Sequence, residues 1–184
     1  MPAGTFAVFG GSFNPPHVAH QMVCLWVLET QPVDAVLMVP CFRHPFEKHL
    51  APFVDRLAMC RLAAAPFGER VRVSEIEAEI GGESSRTLTT LEALAACHPG
   101  VGLRLVIGAD ILAERTKWWR WPEIERLAPP LVVGRAGYAG PGAEVELPPV
   151  SSTEIRARLG RREDPGGLLP RSVSAYIRAR GLYA

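Results

Sequence analysis

The chain has 184 residues, 48% hydrophobic and 21% charged, enough apolar material for one sizeable core and too much for a disordered chain. Lys and Arg number 20 against 19 Asp and Glu, a net charge of +1, so the basic excess that duplex nucleic acid demands is missing. No apolar run reaches the ~18–20 residues that span a bilayer, and residues 1–5 lack the charged and apolar blocks of a secretory signal. These features predict a soluble, cytoplasmic globular protein with neither nucleic-acid nor membrane partners. The cysteines, Cys24, Cys41, Cys60 and Cys97, never form C-x-x-C. They therefore predict reduced, partly buried thiols rather than a zinc ribbon or a thioredoxin-like site.

Along the chain, strand alternates with helix. Residues 5–9 are a short apolar strand stopped by Gly10-Gly11, and residues 18–29 form a helix ended near Pro32. Residues 35–39 make a second strand, halted by Pro40. After a polar stretch over 41–52, a helix over 54–65 carries Leu57, Cys60, Arg61 and Ala64 at helical spacing. Short strands are expected at 71–73, 103–107 and 131–133, with a helix over 88–97 between the first two. A Gly- and Pro-rich loop over 137–149 leads to two C-terminal helices. Apolar strands with helices between them imply parallel pairing and right-handed crossovers. The expected fold class is α/β: one domain over 1–184 with a Rossmann-like open parallel sheet, helices on both faces and a small C-terminal helical portion over 150–184.

The first strand-to-helix turn is the most informative stretch. Gly10-Gly11-Ser12-Phe13-Asn14-Pro15-Pro16-His17-Val18-Ala19-His20 lies where ligands of parallel sheets bind, beyond the carboxyl end of a strand. Paired glycines let a polyanion approach the backbone, and the free N–H groups of a helix start favour negative charge. His17 and His20 are three apart, so both imidazoles share one face of the first helical turn. A lone Gly pair is an ordinary tight turn and a lone histidine an ordinary hydrogen-bonding residue. Their combination with two prolines in one turn points instead to a phosphate site.

A second constellation is Ser151-Ser152-Thr153-Glu154-Ile155-Arg156. Ser151 with Glu154 makes a capping box, which marks a helix start. Arg156 near that start runs against the macrodipole, an arrangement that an intervening anion would reconcile. Together the two stretches resemble the signature motifs of the nucleotidylyltransferase superfamily, Gly-Gly-Ser-Phe-Asn-Pro-Pro-His-x-x-His and Ser-Ser-Thr-x-Ile-Arg. The resemblance implies that His17, His20 and Arg156 are catalytic, and that Gly10, Gly11, Ser12, Phe13, Ser152 and Thr153 bind ATP. Ala19 stands where the family usually has glycine, and Asn14 where relatives often carry aspartate.

The middle of the chain bears on the acceptor. Gly108 and Asp110 end the fourth strand; Asp110 either caps the next helix or accepts from ribose hydroxyls, and the family pattern implies an ATP-binding role for both. Lys117-Trp118-Trp119-Arg120-Trp121 packs three indoles into four positions. Trp121 before Pro122 reads as core, whereas adjacent Trp118 and Trp119 cannot both face one interior on a helix, which leaves one to stack on a planar ring. The segment resembles the Trp-Tyr pair of nicotinate-nucleotide adenylyltransferases, with Trp119 at the Tyr position. Ser85-Arg86-Thr87 resembles their Ser-Tyr-Thr segment; Arg86 there either reinforces carboxylate recognition or is simply solvated. Lys48 is the nearest counterpart of a basic residue that relatives use on substrate phosphate, within an atypical loop over 43–48. The C-terminal stretch resembles the family's closing helix, with Pro170 at its start, Gly181 past its end, and Val173, Tyr176 and Ile177 as its apolar stripe.

The resemblance thus implies an adenylyltransferase that moves AMP from ATP to nicotinate mononucleotide, giving deamido-NAD and pyrophosphate in NAD biosynthesis. Substrate-binding residues would be Lys48, Ser85, Thr87, Trp118 and Trp119. Magnesium would bridge the ATP phosphates with no dedicated protein ligands. Other acceptors (nicotinamide mononucleotide or pantetheine phosphate), a non-catalytic nucleotide-binding relative, and homo-oligomer formation all stay open.

Overall fold

Thr5–Gly11 forms β1 and Ala35–Pro40 forms β2, each pair of neighbours along them pointing to opposite sides, as the period of two requires. The structure is a computed structural model that describes residues 4–43, 50–82, 85–135 and 143–184. The remaining strands are β3 (Val71–Val73), β4 (Gly102–Gly108), β5 (Pro130–Arg135) and β6 (Val145–Leu147). They pair in the order β3-β2-β1-β4-β5-β6, every pairing parallel. The chain therefore moves outward from β1 to β3 and restarts at β4 on the other side of β1. That reversal opens a crevice at the carboxyl ends of β1 and β4, where Gly10, Gly11 and Gly108 stand.

Both faces of the sheet are covered. On one, Ala7, Val36, Met38, Val106 and Leu131 pack under α1 (Val18–Thr30) and α2 (Phe53–Ala64). On the other, Val8, Leu37, Leu105, Ile107 and Val132 meet α3 (Ile76–Ile80), α4 (Thr87–Cys97) and α6 (Trp121–Leu127). Between β4 and α6 lies the short α5 (Ala109–Ala113). Side chains 36, 38 and 37, 39 divide cleanly between these two clusters, so a one-residue slip would turn apolar groups outward along the whole strand. Among the described residues, no helix is long and apolar enough to cross a membrane.

A third apolar cluster holds the C-terminal helices α7 (Ser152–Gly160) and α8 (Arg171–Arg180). Val150, Ile155, Leu169, Val173 and Ile177 pack there on Ala19, Met59 and Ala63 of α1 and α2. Pro170 precedes α8, and Gly181 follows it at φ 62°, a left-handed conformation suited to glycine. Asp55, 3% exposed, accepts from the Tyr176 hydroxyl at 2.8 Å and from Arg180 Nε at 3.1 Å, which pins α8 to α2.

Three local features differ from the sequence expectation. β6 lies inside the stretch read as a loop; only three residues long, it is a strand because its backbone pairs with β5, Val133 opposite Val145. Arg61 is not on the apolar face of α2: it is exposed and pairs with Glu75, while Arg56 is the buried arginine. Trp118 is extended backbone (φ −84°, ψ 130°), not helical, and Arg120 beyond it takes a left-handed conformation at φ 56°.

Candidate active site

Beyond β1 the chain turns sharply. Phe13 is 1% exposed at φ 44°, and its ring lies so close to Gly11 that a Cβ there would stand 3.2 Å from it. A side chain at Gly11 would therefore press on the buried Phe13 ring and shift it by a few tenths of an ångström. A Cβ at Gly10 would meet nothing within 4 Å, so the space above it is open to a ligand. At Gly108 a Cβ would overlap the Asp110 carboxylate as it is placed, so a larger residue there would displace that side chain from the end of β4. Gly108, not Asp110, is the N-cap residue of α5.

His17 ends the turn as the N-cap residue of α1, and His20 stands in its first turn. Their rings stack with centroids 3.7 Å apart and planes at 25°. The His17 backbone N–H donates to His20 Nδ1 at 3.0 Å. With Nδ1 accepting, a neutral His20 carries its hydrogen on Nε2. Phe13 braces the His20 ring edge-on at 4.9 Å. Ala19 is 7% exposed, its methyl within the third apolar cluster, so the residue that departs from glycine serves packing against the C-terminal helices.

The late serine-threonine segment reaches this turn directly. Ser151 caps α7 through the Glu154 backbone N–H at 3.1 Å. Ser152 Oγ donates to the Pro15 carbonyl at 2.9 Å, and Arg156 Nη1 donates to the Asn14 carbonyl at 2.7 Å. Arg156 Nη2 also donates to Thr153 Oγ1 at 3.3 Å. Segments more than a hundred residues apart in sequence thereby form one rim.

A cavity of about 790 Å³ opens at the crevice. Gly10, Gly11, Ser12, Phe13, His17, His20, Gly108, Asp110 and Ser152 line one end, and Ser85, Thr87, Trp118 and Trp119 the other. Thr153 and Arg156 are not in its wall; Arg156 acts on the turn through Asn14. Lys48, with most of the atypical loop, lies outside the described residues.

At the second end, Ser85 and Arg43 bond reciprocally, the Ser85 N–H to the Arg43 carbonyl at 3.0 Å and the Arg43 N–H to Ser85 Oγ at 3.3 Å. Thr87 opens α4, with Arg86 as its N-cap residue. Trp121 is buried, as expected of a core indole, and Trp118 packs edge-on against it at 5.8 Å. Trp119 is the exposed indole, at 49%. Among the described residues no three His, Cys, Asp or Glu side chains could hold a metal ion.

Sequence reasoning missed the frame behind the phosphate end. Arg56, 2% exposed, donates to four carbonyls: Ala51 at 3.0 Å, Ser12 at 3.0 Å, Cys41 at 2.7 Å and Phe42 at 3.5 Å. No carboxylate pairs with it in the described structure, and burial lowers its pKa. Asn14, 1% exposed, accepts at Oδ1 from the Ala51 N–H at 3.1 Å and from the Tyr183 hydroxyl at 2.7 Å. Burial pushes the Tyr183 hydroxyl up, so it stays protonated and donates. The signal available for Arg56 was a cation with Phe53, Met59 and Cys60 at helical spacing; Tyr183 stood in the Gly181-Leu182-Tyr183 stretch that resembles the family's closing segment, but nothing there announced its bond to Asn14.

Comparison with known proteins follows the same outline. The cytidylyltransferase-like family model matches residues 8–158. A protein of Anaeromyxobacter dehalogenans (strain 2CP-C) named a probable nicotinate-nucleotide adenylyltransferase is 54% identical over 179 residues, covering 96% of this chain and 95% of its own length. A protein of the same name from Myxococcus xanthus is 44% identical over 183 residues, covering 99% and 96%. The structure of Plasmodium falciparum nicotinic acid mononucleotide adenylyltransferase complexed with NaAD superimposes with a TM-score of 0.81 over 98% of this chain and 97% of that one, at 18% identity.

Proposed function

The chain belongs to the cytidylyltransferase-like family, in the branch of its nicotinate-nucleotide adenylyltransferase relatives, and from that premise we propose how its residues perform adenylyl transfer. The enzyme moves AMP from ATP to nicotinate mononucleotide, yielding deamido-NAD and pyrophosphate, a step of NAD biosynthesis. The observation that carries this reading is the meeting of two distant segments at the crevice, Ser152 on Pro15 and Arg156 on Asn14, beside the stacked histidines.

The 5′-phosphate of the mononucleotide attacks the α-phosphorus in line; a P–O bond forms to the incoming oxygen while the bond to the β-phosphate breaks and pyrophosphate leaves. The nucleophile is already an anion, so no general base is needed. His20 donates from Nε2, with His17 beside it, to the α-phosphoryl oxygens as charge builds there. Backbone N–H groups near Gly11, Ser12 and Phe13, with Ser152, hold the triphosphate, Thr153 bonds Arg156 at the helix start beside them, and Asp110 receives the ribose hydroxyls. Arg156 holds the turn in register from behind. Alignment of two polyanions and preorganised donors supply the rate. The Ala51 N–H donates to Asn14 Oδ1 at that turn and helps to fix it.

Ser85 and Thr87 with Trp118 receive the acceptor's ring, and Lys48 its phosphate. Magnesium belongs with ATP in such enzymes. Bound with the triphosphate, it would supply neutralisation of the phosphate charge. The reading treats residues 1–184 as one domain with 150–184 as its helical portion, working in the cytoplasm. Pyrophosphate release from ATP and nicotinate mononucleotide tests it: turnover is expected, and its absence overturns the reading.

A further inference from the structure

Arg86 and Trp119, the two residues at the acceptor end where this chain carries Arg and Trp in place of tyrosine, touch each other. The Arg86 guanidinium carbon lies over the Trp119 ring, 5.0 Å from its centroid. Arg120 approaches the same ring at 5.1 Å. Of the indoles, tryptophan is the strongest ring partner for a cation, and a guanidinium is the cation that stacks flat on it.

The charges around that pair are unequally engaged. Lys117 pairs with Glu114 at 2.8 Å, and Arg120 with Glu123 at 3.2 Å. Glu77, the other carboxylate of this end, receives the Phe42 N–H at 2.9 Å and the Thr90 hydroxyl at 3.1 Å. Among the described residues Arg86 has no carboxylate, yet it lines the cavity beside Ser85, Thr87 and Trp118. It is also the N-cap residue of α4, whose first turn contains no acidic side chain. Among the described residues that line the cavity, Arg86 is thus a cation without a carboxylate partner, lying over an aromatic ring.

We propose that Arg86, held over the Trp119 ring, pairs with the carboxylate of nicotinate mononucleotide and so sets the preference for the acid over the amide. This rests on the adenylyl-transfer reading above. Trp119 is then a positioning residue, acting through Arg86, and Trp118 is the indole left for the substrate ring. A planar guanidinium matches a carboxylate with two parallel hydrogen bonds, whereas the carboxamide of nicotinamide offers no charge to it.

The experiment uses the full chain with saturating ATP, reading pyrophosphate release with nicotinate and with nicotinamide mononucleotide. The measured quantity is the ratio of the two kcat/KM values, which does not depend on the active fraction of a preparation. The wild type is expected to favour the acid, and Arg86→Gln to lower the ratio at least about tenfold, through KM for the acid. Arg86→Lys should fall between them, because it retains charge but loses the planar stack. Trp119→Ala should lower the ratio less than Arg86→Gln, and adding it to Arg86→Gln should lower it no further. A ratio within twofold of wild type in Arg86→Gln, or a wild type that favours the amide, overturns the proposal while adenylyl transfer stands. An undiminished Trp119→Ala effect in the Arg86→Gln background overturns the positioning role. No turnover of either acceptor overturns both readings.

Discussion

The two ends of the cavity are built from different materials. At the phosphate end, Asn14, Arg56 and His17 are each less than 5% exposed, and their bonds run largely to backbone carbonyls and amides from separate elements. At the acceptor end, Arg86, Trp119, Lys117 and Arg120 are exposed; Arg86 and Arg120 meet the Trp119 ring through side chains, and Lys117 pairs with Glu114. A buried bond network cannot lose one member cheaply, because the partners left behind stay desolvated. An exposed stack of side chains can change residue by residue at little cost to folding. In the adenylyl-transfer reading proposed above, the end assigned to ATP is the rigid one and the end assigned to the acceptor is the adjustable one.

The largest expected effect is on chemistry alone. His20→Ala should lower kcat by about 10²–10³-fold, the loss typical of one preorganised donor to a developing oxyanion, while the thermal melting temperature stays near wild type; a near-normal rate would remove His20 from the mechanism. Arg56→Met tests the rigid frame. It leaves the Ser12, Cys41 and Ala51 carbonyls without their donor and should cost about 3 kcal/mol, roughly 10 °C in melting temperature, together with activity. An Arg56→Met protein that melts like the wild type would show that the frame is not what holds the turn.

The dryness of that frame is open to a pH test. Burial pushes the Cys24 thiol up from 9.0 to about 12, and raises Cys60 as well. Below pH 9 the thiols are protonated in both the folded and the unfolded chain, and their contribution is present in full. As the pH rises past 9 the unfolded thiols ionise and the folded ones do not, so stability falls by about 1.4 kcal/mol per pH unit for each thiol. Cys24→Ala should make the decline in melting temperature above pH 9 shallower; an unchanged slope would mean that the thiol is not buried as drawn. Tyr183→Phe removes one hydrogen bond to Asn14 and should cost about 1 kcal/mol, seen as a small drop in melting temperature. Smallest of all is Glu114→Gln, which releases Lys117 at the adjustable end. It should leave the melting temperature unchanged and lower KM for nicotinate mononucleotide by about twofold, since rim charges act weakly.

Much of the site was legible because its signals are local in the chain. The Gly10–His20 turn and the Ser151–Arg156 helix start each declare themselves within one strand-to-helix turn, since phosphate binding uses consecutive backbone N–H groups and side chains one helical turn apart. The strands at 5–9, 35–39 and 103–107 were likewise legible, their β-rich apolar runs ended by Gly or Pro. What escaped was set by distant partners. Arg56 reads as one more charge on a helix until the Ser12, Cys41 and Ala51 carbonyls converge on it, and β6 is a strand only because β5 lies beside it.

Composition, periodicity and the two motifs by themselves determined the α/β class and pointed to the turn after β1 as the candidate phosphate site, because strand runs and anion-binding turns are written in neighbouring residues. Only the tertiary structure decided that Arg156 donates to the Asn14 carbonyl, that Tyr183 reaches back to the first turn, and that Arg86 lies over Trp119. Each of these is a contact across 30 to 170 positions of chain, and such contacts exist only after the sheet has reversed at β1 and brought its loops together at one edge.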